Sequence, residues 1–76
     1  MIPLTWTNLA SSKISRVKFE PNKHDLRGDL LVEFNEGKVY RYKDVPANTV
    51  ERLVHASSPG KYFDDNVRST YTMTRE

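Results

Sequence analysis

The apolar residues of this chain change their spacing at Pro46, from every second residue to every third or fourth. Side chains repeat every two residues on a strand and about every 3.6 on a helix, so this switch demands strands first and helices after. Before Pro46, residues 14–20 read as a strand with Val17 and Phe19 on one face and Arg16, Lys18 and Glu20 on the other. Residues 30–35 give a second strand, with Leu30, Val32 and Phe34 inward and Leu31 and Glu33 outward. Asn35-Glu36-Gly37-Lys38 is a hairpin signal, since Gly37 accepts positive φ at no steric cost. A third strand over 38–45 alternates Tyr40 and Tyr42 against Val39, Arg41 and Lys43.

After Pro46, Ala47, Val50, Leu53 and Val54 mark a helix over 47–56, with Pro46 tolerated in its first turn. Ser57-Ser58-Pro59-Gly60 stops that helix and starts another, capped by Ser57 or Ser58 and carrying Tyr62, Phe63, Val67 and Tyr71. The expected fold class is α+β: a three-stranded antiparallel meander with two C-terminal helices packed on one face. The polar segment 22–29 is read as a loop, and 72–76 as a frayed tail. Residues 1–10 form an apolar arm in which Ile2, Leu4 and Trp6 alternate with Pro3 and Thr5, and Pro3 confines any strand there to an edge.

At 76 residues the chain has room for one core, and its stability must come from that core. There is no cysteine to form a disulfide, and His24 and His55 stand far apart without a ligand-like cluster around them. No metal or other cofactor is expected. The composition supports folding nonetheless, because 37% hydrophobic residues are mixed with 29% charged residues of both signs. No apolar run approaches membrane-spanning length and no signal peptide is recognisable, so a cytoplasmic, membrane-free protein is expected. A net charge of +2 permits an anionic partner without demanding one.

Four short motifs occur in order: Ser11-Ser12-Lys13-Ile14, Tyr40-Arg41-Tyr42, Val45-Pro46, and Ser58-Pro59-Gly60-Lys61-Tyr62-Phe63. Together they make residues 11–71 resemble the KTSC domain family, small domains found alone or at the C-terminus of some lysyl-tRNA synthetases. The resemblance implies a compact α+β unit and, through the synthetase linkage, an association with RNA; it implies no catalytic residues. The loop at 22–29 looks longer than the family's first turn, and the Trp6-bearing arm lies outside the match.

For an RNA partner, Arg16, Lys18, Arg41 and Lys43 share one sheet face and could contact phosphates, while Tyr40 and Tyr42 could stack bases. Both tyrosines are better explained as core beneath the helices, since that face must be covered. Glu20 and Glu33 on the basic face allow cross-strand ion pairs instead. For a protein partner, Leu4, Trp6, Leu31 and Val39 are the apolar candidates, with Leu31 and Val39 expected at the surface and the arm that carries Leu4 and Trp6 expected to pack on its own domain unless a partner takes it. Arg27-Gly28-Asp29 is read as a charged turn, and Asp64-Asp65-Asn66 as acidic groups complementing a helix N-terminus. No nucleophile–base motif or phosphate-cradling loop is recognisable, so the expectation is a non-catalytic binding module, RNA-linked or protein-docking, and monomeric.

Overall fold

The computed structural model describes residues 2–76. The element order is β1 (Thr7–Asn8), β2 (Ile14–Pro21), β3 (Arg27–Phe34), β4 (Val39–Pro46), α1 (Ala47–His55), α2 (Pro59–Asn66) and β5 (Met73–Arg75). The strands form one antiparallel sheet in the order β1-β2-β3-β4-β5, and both helices cover one of its faces. The α+β class and the central meander agree with the sequence, but the sheet has five strands rather than three.

The two extra strands lie at the edges. The arm pairs Thr7 with Val17 and Asn8 with Arg16, and the Phe19 N–H donates to the Pro3 carbonyl at 2.7 Å. The presumed tail pairs Tyr40, Arg41 and Tyr42 with Arg75, Thr74 and Met73. β3 begins at Arg27, so the loop is only 22–26, and its Leu26 carbonyl accepts the Ala47 N–H at 2.7 Å. That bond satisfies a first-turn donor of α1, with Pro46 as the extended N-cap residue.

Two register shifts bend the sheet around the helices. Tyr42 and Val45 are three residues apart, so on a regular strand they would face opposite ways, yet both are buried in the core. An irregularity opposite Gly28–Leu30, with Asp44 at φ 59°, inserts the extra residue that turns both inward. A second shift between Ile14 and Arg16 does the same for Ile14 and Val17. The core then closes with Phe19, Leu30, Val32, Val50, Leu53, Phe63 and Val67.

α2 ends at Asn66 rather than Tyr71, because Ser69 and Thr70 hold a helix poorly. Turns after Val67 still keep Tyr71 packed against the core. Ser58 is the N-cap residue of α2, without a side-chain capping bond.

Candidate binding surfaces

On the open face, away from the helices, every cation read from the sequence has an acidic neighbour. Arg16 Nε donates to Glu33 Oε1 at 2.6 Å across the β2–β3 register, while its guanidinium carbon lies 4.5 Å from the Trp6 ring centre. Trp6 is half-buried by that contact. Lys18 Nζ is 3.8 Å from Glu20, and Lys43 Nζ is 3.6 Å from Asp29. Arg41 is the hub: its guanidinium donates to Glu20 at 2.7 Å, Asp29 at 2.8 Å and Glu76 at 3.1 Å. The hydrogen bonds it donates to Glu76, Glu20 and Asp29 hold its charge even more firmly than in a free arginine.

Leu31 is not at the surface. Only 6% of it is exposed, because it stands in register between Lys18 and Arg41, whose aliphatic stems can lie over it. Val39 is half-buried opposite Glu33, whereas Leu4 is 58% exposed despite the expectation that the arm packs on the domain. Arg27-Gly28-Asp29 lies on β3 rather than in a turn, with Gly28 buried and Asp29 engaged by Arg41.

The helix-side face holds both tyrosines in one aromatic cluster. Phe63 meets Phe34 and Tyr42 edge-on at 5.4 and 5.3 Å, and Phe34 meets Tyr40 at 5.6 Å. Tyr42 is buried, and desolvation pushes its phenol above the usual range. Tyr40 is half-buried and lines a groove of about 430 Å³ with Phe34, Asp64, Arg68, Ser69 and Met73.

Beside that groove, an unforeseen arrangement joins two of the sequence motifs. Ser11 Oγ accepts the N–H groups of Lys13 and Ile14, each at 3.1 Å, so the turn into β2 is internally satisfied. Gly60 fits closely against this turn, since a Cβ there would meet Ser11 Oγ at 3.3 Å and Lys13 Cβ at 3.4 Å. Lys13 Nζ then donates to both Asp64 oxygens at 2.6 Å and holds that carboxyl below its usual range. Asp64 and Asp65 thus lie in the C-terminal half of α2, not its first turn, and their charges are met by Lys13 and Lys61. Among the described residues no cluster of metal-ligating side chains occurs, and no helix is long and apolar enough to cross a membrane.

The family model for the KTSC domain matches residues 10–71. The chain belongs to the KTSC domain family. An uncharacterised protein of Stutzerimonas stutzeri strain A1501 is 36% identical over 56 residues, which covers 74% of this chain and 73% of that protein. The crystal structure of a KTSC domain protein from Yersinia pestis superimposes with a TM-score of 0.85, covering 95% of this chain and 96% of its own. At 22% identity this likeness establishes the shared fold. The family match begins after β1, while the structural match extends over nearly the whole chain.

Proposed function

We propose that this KTSC domain is a non-catalytic module that binds another protein. The observation that carries the reading is the pairing of Arg16, Lys18, Arg41 and Lys43 with carboxylates of their own face. A phosphate arriving there would have to compete with Glu20, Asp29, Glu33 and Glu76, which weakens the RNA reading that net charge suggests. The polar groups meeting beside α2 are similarly engaged with one another, Ser11 with backbone donors and Lys13 with Asp64. That arrangement supports binding over chemistry. Exposed Leu4 and Met73 are the kind of apolar groups a protein partner covers.

The test has two arms, run on the same preparation. Cross-linked capture from native lysate is expected to recover a stoichiometric protein partner. Labelled tRNA and single-stranded RNA are expected to show no salt-sensitive association at either low or moderate salt. RNA binding at low salt that Lys18→Gln with Lys43→Gln weakens, without a recovered protein, would replace this reading with the nucleic-acid one.

A further inference from the structure

The two edges of the sheet are not alike. β1 spans Thr7–Asn8 and follows Pro3, a poor template for a further strand. β5 has no proline and no bulge, and it ends the strand order with no described residue paired along its outer side. Lys43 N donates to Thr72 O at 2.8 Å and Glu76 N to Val39 O at 2.9 Å, so residues 72, 74 and 76 turn their backbone groups toward β4. In an antiparallel ladder the alternate residues, Met73 and Arg75, then aim their N–H and C=O groups outward.

The side chains add direction. Met73 pairs with buried Tyr42 and Arg75 with Tyr40, so both belong to the helix side, and Met73 lines the groove with Tyr40, Phe34 and Arg68. The groove itself is balanced, with Lys13 and Arg68 against Glu36 and Asp64. Asp64 receives Lys13 on both oxygens at 2.6 Å, leaving Arg68 a longer 3.6 Å approach. Arg75 makes no ion pair among the described residues, although it is exposed.

We propose that β5 accepts an extended segment of another protein by strand addition, and that this segment carries an acidic and an apolar side chain two residues apart. Backbone bonds to Met73 and Arg75 supply the pairing, the apolar side chain lies beside Met73 over the groove, and the acidic one meets Arg75. A second copy fits less well: β5 against β5 about Thr74 would set each Arg75 opposite the other copy's Met73, with no carboxylate for either guanidinium. The proposal rests on the protein-binding reading and specifies its surface.

A display library of random linear peptides, selected on the immobilised full chain, is the probe. Enriched peptides are expected to share the acidic-x-apolar pattern, and the tightest should slow amide exchange at Met73 and Arg75. Arg75→Pro removes an outward donor while leaving the bonds to β4 in place, and should lower affinity about tenfold or more. Arg75→Glu should weaken the same peptide, and changing the peptide's acid to lysine should restore binding to that variant. No enrichment, enriched peptides held equally by Arg75→Pro, or a dimer formed through β5 would each overturn the proposal. A lysate protein captured equally by wild type and Arg75→Pro would also remove this edge, yet leave the protein-binding reading standing.

Discussion

Replacing Arg41 by methionine removes one charge and three short contacts, leaving Glu76 unpaired among the described residues and Glu20 and Asp29 with only the longer approaches of Lys18 at 3.8 Å and Lys43 at 3.6 Å. Methionine keeps most of the stem beside Leu31, so the loss is chiefly electrostatic. The pairs to Glu20 and Asp29 are short, and the Arg41 side chain is only 21% exposed, which places them toward the upper end of the roughly 0.2–1 kcal/mol typical of surface pairs. Glu76 at the last described position adds less, since ordering a terminal residue offsets part of its bond. Glu20 and Asp29 also face each other across β2 and β3, so their repulsion is exposed once the guanidinium leaves. The expected sum is about 2 kcal/mol, against about 4–11 kcal/mol for a whole domain of this size. Urea denaturation at low salt should show the midpoint falling with the slope unchanged. In about 1 M salt the gap should shrink by roughly half, because the pairs are partly solvated. A change below about 0.5 kcal/mol, or a gap indifferent to salt, would show that Arg41 does not clamp the strands electrostatically.

Gly28→Ala should cost about 2–3 kcal/mol or prevent folding, because the new Cβ would run into the Glu20 carbonyl oxygen, with Pro21 Cα at 2.7 Å and Phe19 Cζ at 2.9 Å; thermal melting measures it. Burial raises the Tyr42 pKa, so the native state keeps a phenolic proton that the unfolded chain loses. Stability should therefore fall as pH rises above about 10, and Tyr42→Phe should flatten that alkaline limb in urea titrations. Trp6 packs in cis against Arg16, so its emission should be blue-shifted and unchanged on dilution, and a red shift on dilution would place the arm in another subunit.

The meander, the Gly37 hairpin with its φ of 96° and the helix starts were legible because each spans enough residues to display a period. β5 was not, since a strand of three residues shows no repeat, and the arm's alternation pointed to an edge strand without placing β1 at Thr7–Asn8. They form because β2 and β4 each offer an unpaired edge that the termini can reach. The bulges escaped for a related reason: Asp44 carries no glycine to announce its positive φ. Leu31 was assigned outward correctly, but its burial depends on which long stems flank it, and that requires the register. Of the candidate sites, the two tyrosines and four cations fell on their expected faces. Glu20 and Glu33, the acidic neighbours the sequence offered, do pair with the cations, whereas Asp29 and Glu76 did not follow from sequence, because Asp29 reads as part of a turn and Arg41–Glu76 joins distant parts of the chain.

Net charge is a property of a list, whereas recognition responds to arrangement. Twelve basic and ten acidic residues give +2, yet on the open face Arg16, Lys18, Arg41 and Lys43 stand among Glu20, Asp29, Glu33 and Glu76. Substitutions there act first on folding. Arg41→Glu would set a fourth carboxylate among three, so a loss of RNA or protein binding in that variant would report unfolding as readily as a lost contact. Lys43, half exposed and 3.6 Å from its partner, can be neutralised with little effect on the sheet and tests the face more cleanly. Arg75 is the opposite case: exposed and without a carboxylate among the described residues, it has a charge still available to a ligand and little to lose in stability. A substitution that reverses Arg75 while leaving the urea midpoint fixed therefore separates recognition from folding, which none at Arg41 can do.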